Sequence, residues 1–178
     1  MMHARGFTLM ELLTVIAILS ILMAFALPAL GTFRSDAAEK EAARGVLGAL
    51  REARNLAISQ NLEHQLAFDM DSKSYWLERG DKADNSTSWT RIRTFGGFSG
   101  EAGMAMGAEC TKFTGDGDTA SAENRIQFNP NGTCGSKGTA SARYVCVLGQ
   151  DGSKQFRTGI PSSITGRAVI QRWNGGWE

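Results

Sequence analysis

From Leu12 to Leu30 the chain runs for nineteen residues without a charge, and nearly all of them are Leu, Ile, Val, Ala, Phe or Met. A helix of that length spans about 28 Å, close to the roughly 30 Å hydrocarbon core of a bilayer. A helix lying on a protein surface shows a polar stripe, and this run is apolar on every side. It reads as a membrane span rather than a core helix. The short N-flank carries His3 and Arg5. Basic flanks stay on the cytoplasmic side, so the rest of the chain is expected to face away from the cytoplasm. A secretory signal would place an Ala-x-Ala cleavage site behind the run, and Ala26-Leu27-Pro28-Ala29-Leu30-Gly31 matches it poorly.

The distinctive residues stand in front of the run. Gly6 precedes Phe7-Thr8-Leu9, an acid opens Glu11-Leu12-Leu13, and Pro28 sits within the apolar stretch. This arrangement resembles the class III signal of type IV pilins and type II secretion pseudopilins. The resemblance implies cleavage after Gly6 by a prepilin peptidase and N-methylation of the new N-terminal Phe7. An acid in a membrane helix costs roughly 2.5–3.5 kcal/mol, so Glu11 needs a reason to be there. After cleavage the Phe7 amine would lie one helical turn away as a partner. In a filament, the resemblance implies that Glu11 meets the Phe7 amine of a neighbouring subunit. The plainer alternative is that Glu11 marks the membrane edge and reaches to the interface.

Behind the span, residues from Thr32 to Asn61 are rich in Ala, Arg and Glu and free of proline. Val46, Leu47, Leu50, Ala53, Ala57 and Ile58 recur near helical spacing and predict one apolar face, with Arg44, Arg51, Glu52 and Arg54 largely elsewhere. Pro28 removes a backbone hydrogen bond and invites a kink. From Glu63 the period becomes alternating. Strands are expected at Gln65–Phe68, Tyr75–Leu77, Trp89–Phe95, Arg125–Phe128, Tyr144–Leu148, Lys154–Thr158 and Arg167–Trp173. The Gly, Ser, Asn and Asp-rich stretches Gly96–Gly103, Gly115–Ser121 and Asn129–Ser141 read as loops. The organisation that follows is a leader at 1–6, a helix over 7–62 that crosses the membrane at about 12–30, and an extracytoplasmic β-domain over 63–178. The fold class is α+β: a long helix packed on a small β-domain of two antiparallel sheets. The helix supplies apolar cover that so small a domain needs.

Charge is unevenly spread. Residues 65–124 carry six basic and ten acidic residues, a net of −4, and residues 125–178 carry seven and two, a net of +5. The C-terminal third is therefore a candidate surface for an anionic partner, or an ordinary solvated face. Three cysteines, Cys110, Cys134 and Cys146, allow at most one internal disulfide. Cys134 and Cys146 are closest in sequence and flank a turn region, so that pair is favoured. Beyond the leader the only histidine is His64, and no nucleophile elbow, phosphate loop or metal-ligand pair is present, so neither an enzyme nor a metal or cofactor is expected. Asp116-Gly117-Asp118 is only a fragment of a calcium loop.

A second resemblance lies in the C-terminal half. Phe128-Asn129-Pro130-Asn131-Gly132, Tyr144-Val145-Cys146 and Thr165-Gly166-Arg167 are similar to the landmarks of the GspH/FimT domain of minor pilins and minor pseudopilins. The resemblance implies a low-copy tip subunit of a type IV pilus, in the inner membrane before assembly, with a GspH-type pseudopilin of type II secretion as the alternative. The implied partners are other major and minor pilins or pseudopilins, the prepilin peptidase, the inner-membrane assembly platform and membrane lipid. Some FimT-type members also bind DNA through a C-terminal GRxR motif; here the stretch is Gly166-Arg167-Ala168-Val169, so its second arginine is missing. Arg143, Lys154, Arg157, Arg167 and Arg172 are the candidates for phosphate contact, with Trp173 and Trp177 available for stacking.

Overall fold

One helix, α1 (Leu9–Gln60), carries everything else; its 52 residues extend for roughly 78 Å. The computed structural model describes residues 8–69, 72–97, 103–106, 124–135, 143–149 and 153–178, without the side chains of 25–36, 103, 105, 106, 154 and 155. Thr8 caps the start: its extended backbone places the side-chain oxygen 3.2 Å from the Glu11 amide. Asn61 ends the helix in the left-handed conformation, φ 53 and ψ 38, which a short amide side chain tolerates. Helical structure is unbroken through Pro28, since a proline removes one donor and one bond from a ladder of many.

The second half of α1 buries Glu39, Ala43, Val46, Ala49, Leu50, Ala53 and Ala57, a stripe at helical spacing. Four alanines in that stripe keep the helix close to the strands beneath it. Of the apolar face expected from sequence, Leu47 is only half-buried and Ile58 is exposed. They flank the stripe.

Among the described residues, eight strands form two antiparallel sheets. The first contains β1 (His64–Asp69), β2 (Ser74–Gly80), β3 (Trp89–Phe95) and β5 (Arg125–Phe128) in the order β3-β2-β1-β5. The second contains β4 (Gly103–Met106), β6 (Arg143–Leu148), β7 (Lys154–Ile160) and β8 (Val169–Arg172) in the order β4-β6-β7-β8. The seven expected strands are all present, and β4 is an eighth that the loop reading of Gly96–Gly103 stopped short of. The calcium-loop fragment at Asp116 lies outside the described residues.

Both sheets lean on α1, which packs against β1, β5, β6, β7 and β8. Leu66, Phe68, Leu77, Ile126 and Phe128 of the first sheet meet Val145, Val147, Phe156 and Ile160 of the second in one core with the helix stripe. Phe68, Tyr75 and Phe95 stack in series, with centroids 5.7 and 5.2 Å apart. Thr158, fully buried on β7, donates to the Ala43 carbonyl at 3.0 Å, so the second sheet is hydrogen-bonded to the helix backbone as well as packed on it. Arg93 of β3 grips Glu52 of the helix at 2.8 and 3.0 Å.

Candidate functional site

Among the described residues, nothing packs on the start of α1. From Leu9 to Met23, eleven large apolar side chains are between 44 and 76% exposed. They lie on all sides of the helix, so no packing of the β-domain against one face could cover them. The polar residues of this stretch are quieted locally: the Thr14 hydroxyl donates to the Glu11 carbonyl at 2.9 Å and the Ser20 hydroxyl to the Ile16 carbonyl at 2.8 Å. Such back-bonding leaves no unpaired hydroxyl facing an apolar medium. Among the described residues no helix is long and apolar enough to cross a membrane.

Glu11 sits in the first turn, the acid of a Thr8-Leu9-Met10-Glu11 capping pattern. The carboxylate is thus at the positive end of the helix dipole, a favourable place for an anion. Sequence reasoning weighed Glu11 against a cationic partner and missed this signal, although Thr-x-x-Glu is written in the chain. Gly6 and Phe7 lie outside the described residues.

The basic residues picked out as phosphate contacts do not form one patch. Arg143 donates to the Arg125 carbonyl at 3.4 Å. Arg157 donates to the Gln171 side chain at 2.9 Å and stacks between the rings of Tyr144 and Trp177, 4.2 and 4.5 Å from their centroids. Trp173 and Trp177 meet edge to face at 5.0 Å and bridge the terminal hairpin, so both tryptophans close the end of the second sheet. Arg172 is exposed on β8, and the Lys154 side chain is outside the description. Arg167 is exposed, and its neighbours are residues the sequence placed on the polar side of α1. With Arg51, Arg54 and Asn55 it lines a groove of about 290 Å³. Arg54 anchors that groove: its Nε donates to the Gly132 carbonyl and its Nη2 to the Thr165 carbonyl, each at 3.1 Å. The Asn131-Gly132 and Thr165-Gly166 stretches therefore meet on one helix arginine.

The favoured Cys134–Cys146 disulfide is not formed. Cys134 is a free, buried thiol and Cys146 is disulfide-bonded, while Cys110 lies outside the described residues. Strand alternation gives the reason. Val145 and Val147 point into the core that holds Cys134, which sends Cys146 to the opposite face with Leu148 and Trp177. Burial pushes the Cys134 thiol up to about 11 against the pull of Arg143.

His64, wholly buried at the start of β1, has Nδ1 3.0 Å from the Leu62 carbonyl and an Nε2 without a partner. Burial holds its pKa below 6.5; the Leu62 bond opposes this and the charge of Arg79 adds to it. Buried Glu63 accepts the Asn85 and Ser86 amides at 3.0 and 2.7 Å and fixes the loop between β2 and β3. These contacts are structural, and no reacting constellation is assembled around them.

Residues 1–27, which include Gly6, Phe7 and Glu11, match the prokaryotic N-terminal methylation motif. The fold, too, is pilin-like. The type IV minor pilin FimU of Pseudomonas aeruginosa has the same fold with 16% identity and a TM-score of 0.51, over 78% of this chain and 96% of that one. E. coli GspH aligns over 77% of this chain and 89% of its own with 10% identity and a TM-score of 0.54. The minor pseudopilin EpsH from the Type 2 Secretion System of Vibrio cholerae aligns at 8% identity over 77% of this chain and 97% of that one. Its TM-score of 0.48 is too loose to add to the argument. At these identities the likeness is one of fold. No curated protein sequence matches the chain. In this chain residues 39–57 of the helix are packed on the two sheets, and the described apolar side chains of residues 9–23 are exposed.

Proposed function

We propose that the chain is a low-abundance structural subunit of a type IV pilus, a minor pilin without enzymatic activity. One observation carries this reading: the stem whose apolar side chains are exposed all round, residues 9–23, lies within the N-terminal methylation motif matched over residues 1–27. Bare apolar surface on every side of a helix calls first for lipid and then for other helices of the same kind. In this reading the chain waits in the inner membrane as a single span with its β-domain in the periplasm. The prepilin peptidase removes residues 1–6, and the assembly platform passes the stem into a bundle of pilin helices near the filament tip. Glu11, already suited to a helix N-terminus, then takes the Phe7 amine of a neighbour as its partner.

Glu11→Ala tests the assembly role. The variant should still insert and be cleaved, but enter filaments poorly; incorporation at the wild-type level would remove Glu11 from the mechanism. A deletion strain tests the machine. Loss of surface pili, restored by the wild-type gene, supports a type IV pilus. Normal pili with exported enzymes held in the periplasm would move the assignment to a type II secretion pseudopilin, which the equally good fold likeness to GspH accommodates.

A second reading, contact with a DNA backbone, is favoured by the groove where Arg51, Arg54 and Arg167 converge. Among the described residues, Arg51 and Arg167 make no side-chain hydrogen bond, so their guanidinium groups are available to phosphates. Arg167→Ala should lower affinity for duplex DNA in a gel-shift assay and reduce its salt dependence. An unchanged slope would exclude this contact.

A further inference from the structure

The outer face of the first sheet, turned away from α1, holds a second cavity. It measures about 240 Å³ and is lined by Gln65, Ser86, Trp89, Arg125, Gln127 and Arg143, among others. The register aligns its floor. Gln65 lies opposite Glu78 on one side and Gln127 on the other, and Ala67 lies between Trp76 and Arg125. Among the described residues, every solvent-shielded side-chain nitrogen or oxygen on this face has a hydrogen-bond partner but one. Both oxygens of buried Glu78 accept a hydrogen bond, from Gln65 Nε2 at 2.6 Å and Trp76 Nε1 at 2.7 Å. Arg91 covers the Trp76 ring at 3.8 Å. Arg143 donates to the Arg125 carbonyl.

The exception is the Arg125 side chain. It is half-buried, its Nε is shielded from solvent without an acceptor, and among the described residues it has no hydrogen-bond or ion-pair partner. A guanidinium taken partly out of water and left unpaired is costly, and native structures rarely keep one without an anion or ordered water to meet it. We infer that this cavity is an oxyanion site built for a carboxylate, held by Arg125 with Arg143 beside it. Arg91 lies on the Trp76 ring and Arg143 has partners of its own, which leaves Arg125 as the unpartnered cation of this face among the described residues, to be met by one negative charge. The planar guanidinium fork matches a carboxylate in shape, and Trp89 offers an apolar wall to the carbon stem. The carboxylate could come from an acidic side chain of another protein or from a small soluble acid.

The test uses the detergent-solubilised full chain, titrated separately with acetate, with a capped Glu-Glu dipeptide and with inorganic phosphate at ionic strength held constant with chloride. The Arg125 Nε–H and the indole N–H of Trp89 are followed by NMR. Saturable shifts at both are expected, with the Trp76 indole as a fixed internal reference because its proton is committed to Glu78. Arg125→Gln should weaken binding about tenfold or more, the value of a hydrogen bond to a charged group. Trp76 should keep its shift in that variant, which shows an intact sheet. Shifts with both carboxylates support a site any carboxylate fills; shifts with the dipeptide alone support a protein side chain as its occupant. No saturable shift with either, or saturation by inorganic phosphate alone, would overturn the assignment.

Discussion

Gly166 shows how a single position can hold two loops together. Its φ of +57° lies in the left-handed region, and a Cβ there would collide with the Gly132 carbonyl oxygen and crowd Arg54. Gly166→Ala combines backbone strain with a clash against main chain, so it should cost at least about 2 kcal/mol in denaturant unfolding. Loss of the terminal groove should accompany it. His64 carries a pH dependence. Its pKa is depressed in the fold, so its contribution to stability is fully present above 6.5 and is lost as pH falls through the lower folded value. The denaturation midpoint should therefore decline on acidification below 6.5, and His64→Phe should flatten that part of the profile. Cys134 behaves oppositely. Its buried thiol should resist alkylation in the native state and react only on unfolding, and rapid native labelling would contradict the burial seen here. Sequence spacing could suggest a cysteine pair, but only the parity of β6 shows that Cys146 points the other way.

At the scale of elements, the helix stripe is the joint of the molecule. Leu50 is fully buried between α1 and both sheets, and Leu50→Ala should destabilise by about 2–5 kcal/mol in equilibrium unfolding. The exposed Glu52–Arg93 pair should contribute less than about 1 kcal/mol in a double-mutant cycle, because water screens it. Most elements could be read from the chain. Helical spacing from Ala43 to Ala57 and alternation in Gln65–Phe68 or Tyr144–Leu148 are direct consequences of burying one face. β4 was hidden because Gly103-Met104-Ala105-Met106 has no β-branched or aromatic residue, and it pairs with β6 alone at the sheet edge. The Arg54 junction was hidden for another reason: it joins positions 78 and 111 residues apart, and nothing local to any of them announces the others.

The whole molecule divides its helix between two environments. Residues 39–57 present a buried stripe to their own domain, whereas residues 9–23 offer apolar side chains that none of the described residues covers. The sequence announced this division through the charge-free run and the residues before it, which is why the stem was more legible than any site on the β-domain. The sites there depend on neighbours across strands and loops, as the regrouping of Arg167 with Arg51 and Arg54 shows. The account rests on the stem being processed as a prepilin, whichever machine receives it. The direct measurement is the mass of the N-terminal peptide of the chain recovered from membranes of cells that contain the peptidase. The account predicts a peptide beginning at Phe7 with one methyl group on its amine. A peptide that still contains residues 1–6, or one that begins after the apolar run, would contradict it.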